Sequence, residues 1–307
     1  MQNIQNTTKD IINMETTQTI TDSALTSRVM SDNKPISHVA QTIQPQTQSI
    51  IPVLTLAGSD CSGGAGIQAD LKTFNAHKLF GMSVILSVVA ENTSRVISSY
   101  DVPTQSISEQ MEAIFEDIPP YATKIGMLGS NAIIDCVAEN LAFYKPQNVV
   151  VDPVMFAKNG FPLMPKDCRI AFKRRILQLS DVLTPNIPEA QELCGFTIND
   201  KEDMQKAALC LYEMGAKAVL LKGGHSQANA DDVFYNGTFH ILESPKIATK
   251  NTHGTGCTLS SAIAANLALG CDTLYAVKKA KEYVFHAILY SLQLGKGNGP
   301  TNHFFRF

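Results

Sequence analysis

Cys257 closes the run Lys250-Asn251-Thr252-His253-Gly254-Thr255-Gly256-Cys257-Thr258, which leads into an apolar stretch, Leu259 to Leu269, with helical spacing. Backbone N–H groups of Gly254, Thr255, Gly256 and Cys257 are expected to converge at that helix N-terminus, where the macrodipole favours an anion such as a transferring phosphoryl group. The same field predicts a thiol pKa lowered from about 8.5 toward neutrality, so that Cys257 can accept a proton from a hydroxyl. The plainer alternative is a small buried residue filling a helix cap. His253 and Cys257 stand four apart, but no further residues with zinc-like spacing accompany them.

Other chemistry-bearing strings follow the ends of apolar runs. Gly58-Ser59-Asp60-Cys61-Ser62-Gly63-Gly64-Ala65-Gly66 precedes Ile67-Gln68-Ala69-Asp70-Leu71-Lys72. So much glycine permits close backbone approach to a ligand, yet the string is neither a Walker A loop nor a dinucleotide-binding G-x-G-x-x-G; singly, it also reads as a flexible turn. Asp152, in Val151-Asp152-Pro153-Val154-Met155, and Glu189, in Thr184-Pro185-Asn186-Ile187-Pro188-Glu189, suit magnesium held with substrate phosphates, a cation that needs only one or two carboxylates. Taken alone, Asp152 also fits a surface turn and Glu189 a helix N-terminal residue complementing the dipole. Lys222, in Leu221-Lys222-Gly223-Gly224-His225, is placed to meet nucleotide phosphates or to point into solvent. Lys124-Ile125-Gly126-Met127-Leu128 offers backbone and Met127 to a pocket, or Met127 to the core.

The elements that must position these residues alternate short apolar runs with longer amphipathic segments, the pattern of βα units. Strands are predicted at Pro52–Ala57, Met82–Ala90, Thr123–Met127, Asn148–Asp152, Asp181–Thr184 and Ala218–Leu221, several apolar enough for burial on both faces. Helices are predicted at Ile67–His77, Ile107–Phe115, Ile133–Phe143, Glu202–Met214 and Thr258–Leu269. Asn236-Gly237 between two β-prone runs predicts a hairpin with a type I′ turn, antiparallel at one sheet edge. The whole reads as a three-layer α/β/α sandwich with a mostly parallel central sheet, whose ligands bind beyond the carboxyl ends of the strands.

Composition narrows the partners. The chain has 307 residues, 44% hydrophobic and 17% charged, with a formal charge of -3, so no basic excess invites nucleic acid or an anionic membrane. No apolar run approaches the roughly 18 residues needed to span a bilayer, and the first residues lack a secretory pattern. Seven cysteines without a C-x-x-C pair argue against a disulfide framework and fit a reducing, cytoplasmic setting. Residues 1–49, rich in Thr, Gln, Asn and Ser, are expected to form a disordered polar extension, and their acidic residues argue against a transit peptide. Residues 50–307 are expected to form a single domain, with no fused domain after Phe307.

Together these strings resemble the hydroxymethylpyrimidine/phosphomethylpyrimidine kinases of thiamine biosynthesis, a branch of the ribokinase superfamily. The resemblance runs in order from about Ile51 to Gly297-Asn298-Gly299-Pro300-Thr301-Asn302-His303-Phe304. It implies a ribokinase-like fold, a homodimer, and ATP with Mg2+ as the phosphoryl donor. It places Gly58, Ala65, Asp70, Val89, Glu91, Met127 and Val154 around the substrate ring. Gly254, Thr255 and Gly256 would form the anion hole with Cys257 at the reacting centre; Asn186, Lys222 and Thr252 would serve ATP, and Asp152 and Glu189 the metal. The implied reaction phosphorylates 4-amino-5-hydroxymethyl-2-methylpyrimidine and its monophosphate. One residue departs: the family commonly carries Ala-Gln-Asn-Thr where this chain has Ala90-Glu91-Asn92-Thr93. An ionised glutamate accepts but cannot donate, which points to a protonated aminopyrimidine or to another ring. A pyridoxine or pyridoxal kinase of the same fold, and a non-catalytic pyrimidine sensor, are the alternatives.

Overall fold

The computed structural model describes residues 49–157, 160–224 and 230–307. The expected N-terminal extension and His225 lie outside the described residues.

Among the described residues, nine strands form one sheet in the order β3-β2-β1-β4-β5-β6-β7-β8-β9. They are β1 (Pro52–Asp60), β2 (Phe80–Glu91), β3 (Val96–Asp101), β4 (Thr123–Ile125), β5 (Val149–Val151), β6 (Val182–Leu183), β7 (Val219–Leu221), β8 (Asp232–Tyr235) and β9 (Phe239–Leu242). Strands β2, β1, β4, β5, β6 and β7 run parallel, while β3, β8 and β9 pair antiparallel at the two ends. The helices are α1 (Gly66–Ala76), α2 (Thr104–Asp117), α3 (Asn131–Tyr144), α4 (Cys168–Arg175), α5 (Ile187–Cys194), α6 (Lys201–Glu213), α7 (Thr255–Ala268) and α8 (Thr273–Leu289).

Alternation along each strand divides the core in two. Leu54, Leu56, Val149, Val151, Leu183, Val219 and Leu221 face one side, packed with buried residues of α2 to α6. Val53, Val150, Val182, Leu220 and Phe234 face the other, against α1, α7 and α8. Burial on both faces explains why the central strands read as continuous apolar runs. Helix α7 is the most enclosed, with every residue from Thr258 to Ala268 buried. Its amino end is thereby held rigidly against the sheet.

The structure differs from the sequence expectation in two places. The hairpin joins β8 to β9 as foreseen, but its loop is the three residues between Tyr235 and Phe239, and Gly237 alone of them has a positive φ. A type I′ turn needs positive φ at both central residues, so the turn is of another kind. Strand β3 was not foreseen. It pairs with β2, and its outward residues are exposed, so it lacks the apolar alternation of a half-buried strand. Among the described residues, no helix is long and apolar enough to cross a membrane.

Candidate active site

Helix α7 begins at Thr255, and its N-cap Gly254 has φ 78° and ψ 7°. The N–H groups of Gly256 and Cys257 have no acceptor among the described residues, as expected of a first helical turn. The Thr255 N–H, expected to join them, turns back to the Thr252 carbonyl at 3.3 Å, and the Thr255 hydroxyl donates to the same oxygen at 2.8 Å. The first-turn amides left open are those of Gly256 and Cys257, and the Gly254 N–H before them also has no backbone acceptor among the described residues. The loop is wedged tightly: a Cβ on Gly254 would stand 1.7 Å from the Gly64 carbonyl oxygen.

Asp60, at the end of β1, organises that second loop. Its Oδ1 accepts from the Ser62 N–H at 2.7 Å, and its Oδ2 from the N–H groups of Gly64 and Ala65 at 3.0 and 2.8 Å. His253 Nε2 meets the same Oδ2 at 2.8 Å. Burial alone would raise the Asp60 pKa, but the bonds from His253, Ser62 and Ala65 and the charge of His253 hold it at about 2. One carboxylate thus fastens both glycine-rich loops, a role absent from the sequence reading. Asp60, Glu91 and His253 keep potential ligand atoms within 4.8 Å of one another.

Lys222 donates to Asp152 Oδ1 at 2.8 Å, and Thr184 Oγ1 approaches the same oxygen at 3.1 Å. Glu189 starts α5 in a capping box: Asn186 Oδ1 accepts from the Glu189 N–H at 2.9 Å, and Glu189 Oε2 from the Asn186 N–H at 2.8 Å. The helix N-terminal reading of Glu189 is observed, and this buried carboxylate also borders the cavity that Asp152 and Lys222 line. Burial pushes it up to about 7, with Lys222 opposing and Asp152 adding to the shift. A Cβ on Gly256 would lie 3.1 Å from Asp152 Oδ2 and 3.6 Å from Lys222 Nζ, so this ion pair stands close against the start of α7.

At the other end of the same cavity, of about 830 Å³, apolar atoms crowd around Gly58. A Cβ there would meet Met127 Sδ at 3.4 Å and Val89 Cγ2 at 3.6 Å. Ala65, Val154 and Glu91 also line the cavity. The Glu91 loop is tied to the C-terminal segment, since Gly297 donates to Thr93 Oγ1 at 3.1 Å and Asn298 to the Thr93 carbonyl at 2.8 Å. That segment reaches the other loop too, with His253 donating to the Gly299 carbonyl at 3.1 Å. Burial, and then the Asp60 carboxylate, push Glu91 up to about 7, with His253 opposing. Near neutral pH part of the population carries a protonated carboxyl, which donates and accepts as a glutamine amide does.

Two expectations need correction. Asp70 does not line the cavity: it is fully buried, accepting from Thr55 Oγ1 at 2.7 Å, Ser261 Oγ at 2.7 Å and Lys124 Nζ at 2.9 and 2.8 Å. Lys124, its ion-pair partner, is among the lining residues, whereas Asp70 is not. Cys257 does face the cavity, half-buried, but its thiol is not acidified. Burial, joined by Asp70 and Asp152, pushes it up to about 11 against the pull of Lys124 and the Gly66 N–H. The direction is opposite to the acidification expected from the helix end.

The remaining residues singled out from sequence, namely Gly58, Ala65, Val89, Glu91, Met127, Asp152, Val154, Asn186, Glu189, Lys222, Thr252, Gly254, Thr255, Gly256 and Cys257, border this one cavity. Over 257 residues the chain is 46% identical to the hydroxymethylpyrimidine/phosphomethylpyrimidine kinase of Haemophilus influenzae, covering 82% of this chain and 96% of that protein. Its fold matches a phosphomethylpyrimidine kinase from Clostridium difficile with a TM-score of 0.71 at 44% identity, covering 78% of this chain and 99% of the other. It also matches the ADP complex of a Bacillus subtilis pyridoxal kinase with a TM-score of 0.78 at 38% identity, covering 83% and 98%. Residues 60–302 fit the sequence profile of phosphomethylpyrimidine kinase, and the chain belongs to that family.

Proposed function

We propose that this protein transfers the γ-phosphoryl of ATP to the hydroxymethyl group of 4-amino-5-hydroxymethyl-2-methylpyrimidine, and then phosphorylates the monophosphate, in thiamine diphosphate biosynthesis. The observation that carries the reading is the cavity itself, with an apolar ring-sized end at Gly58, Val89 and Met127 opening onto the amides of Gly256 and Cys257. The alcohol oxygen attacks the γ-phosphorus as the bond to the ADP oxygen breaks, and ADP leaves. The hydroxyl proton departs late in a loose transition state. Cys257 Sγ accepts its hydrogen bond and guides it toward a phosphoryl oxygen, consistent with a thiol that is neutral beforehand. The Gly256 and Cys257 amides receive the charge on the transferring group, and Lys222, Asn186 and Thr252 hold the nucleotide.

Asp152 and Glu189 offer carboxylate oxygens, both buried at the cavity's edge, which fits a hard divalent cation such as Mg2+. Bound there, the cation would neutralise triphosphate charge. We place the catalytic unit at residues 50–307, acting as a homodimer in the cytoplasm. The seven free cysteines agree with a reducing compartment.

Glu91 favours keeping a second reading, a pyridoxal or pyridoxine kinase. Mass-spectrometric turnover with ATP and the pyrimidine, its monophosphate, pyridoxine or pyridoxal, run side by side, decides between them. The pyrimidine is expected to gain first one and then a second phosphate faster than either pyridoxine or pyridoxal gains one. ATP left unconsumed by every ring would make the protein a sensor.

The raised pKa of Glu91 gives a pH signature. Recognition of an aminopyrimidine edge needs one proton shared between the carboxyl and the ring, and that proton is lost as pH rises through about 7. For the pyrimidine, kcat/KM is expected to fall about tenfold from one pH unit below that value to one above it, because the protonated fraction of Glu91 falls by that factor. Glu91→Gln is expected to remove this limb. A limb that persists in Glu91→Gln would take the proton away from Glu91.

A further inference from the structure

The mechanism so far leaves unused a lysine with no solvent exposure. Lys124 Nζ spans both oxygens of Asp70, itself fully buried, and Thr55 and Ser261 hold those oxygens from the other sides. The network joins β1, α1, β4 and α7. Two donors of the ammonium go to Asp70, leaving a third. Ser261 lies one helical turn after Cys257, so the two share a face of α7 and the ion pair sits beneath the thiol. Gly126 keeps the space open, since a Cβ there would stand 2.7 Å from Lys124 Nζ. Lys124 borders the same cavity as Cys257.

A buried ion pair adds little net stability, because desolvation offsets most of its attraction. Its placement therefore calls for another explanation. We propose that Lys124, oriented by Asp70, is a positioning residue for phosphoryl transfer, its ammonium opposing the negative charge that builds on the acceptor oxygen beside Cys257 Sγ. This rests on the reading that transfer occurs beside Cys257. The charges that face the sulfur are Lys124 on β4, Asp70 on α1 and Asp152 after β5, with the Gly66 N–H also directed at it. Lys222, paired with Asp152, is a second cation whose charge reaches the sulfur, and Lys124 is the one paired with Asp70. Burial opposes the charge of Lys124, but Asp70, and Asp152 with it, hold it protonated.

The test compares Lys124→Met with the double variant Lys124→Met/Asp70→Asn, which leaves no unpaired buried charge and is expected to keep a melting temperature near that of the wild type. In both, kcat is expected to fall about 30-fold, the effect of losing one nearby charge at intermediate dielectric. KM for ATP is expected to change by no more than about twofold. The second readout is the rate at which iodoacetamide alkylates Cys257 at mildly alkaline pH, followed by mass spectrometry of its peptide with exposed Cys61 as internal reference. Loss of the ammonium is expected to slow Cys257 about tenfold by lowering its thiolate fraction. A purely structural role predicts the opposite, since loosened packing admits the reagent faster. The inference is overturned if the double variant regains wild-type kcat, or if Cys257 reacts as fast as in the wild type or faster. Alkylation needs no substrate, so wild-type protein that turns over no alcohol would defeat the functional reading while leaving this comparison decisive.

Discussion

Gly254→Ala is expected to lower kcat by about 1000-fold, since a shift of about 1 Å in positioning alone costs about 100-fold and the variant also displaces both anion-binding amides. The added methyl would stand 1.7 Å from the Gly64 carbonyl oxygen and 2.8 Å from its carbon, both backbone atoms that no rotamer change can move aside. The backbone at Gly254 also holds φ 78°, a left-handed conformation that costs an L-residue about 1–2 kcal/mol. Strain and overpacking together are expected to destabilise the fold by about 3 kcal/mol, measured by urea unfolding. Gly270→Ala is the control. Gly270 has φ 86° with nothing within 4 Å of the added carbon, so it is expected to lose only the conformational cost and to keep its kcat. Equal kcat in the two variants would mean that the contact between the loops does not position the site.

Cys257→Ala is expected to reduce kcat about 100-fold with a smaller change in KM, the pattern of a group engaged only in the transition state. Cys257→Ser, which keeps a hydrogen-bonding atom in place, is expected to retain more of the rate. Because burial holds the thiol at about 11, the wild-type kcat is expected to show no thiolate limb across neutral pH. An unchanged kcat in Cys257→Ala would remove sulfur from the reaction.

Much of this site was legible because its residues follow strands in a sheet whose ligand side is dictated by topology. Asp152 after β5, Lys222 after β7 and Gly58 on β1 could be placed from sequence, as could the glycine-rich turn before α7. What was missed depends on contacts between distant segments. His253 and Asp60 are 193 residues apart, and nothing in the spacing of either announces the bond that fastens the two loops. Asp70 was placed beside the ring by the family resemblance alone, yet α1 turns it inward onto Lys124. The thiol failed for a related reason. A helix N-terminus is visible in sequence, whereas burial and the flanking Asp70 and Asp152 carboxylates emerge only after folding, and here they decide the sign. Strand β3 escaped because an exposed edge carries no alternating pattern.

The most direct measurement is a crystal structure with a non-hydrolysable ATP analogue and hydroxymethylpyrimidine bound together. The account predicts the γ-phosphate accepting from the Gly256 and Cys257 amides, with the alcohol oxygen beside Cys257 Sγ and about 3.5 Å from the γ-phosphorus. A γ-phosphate bound away from the start of α7, or an alcohol directed toward Glu91 instead of the sulfur, would contradict it.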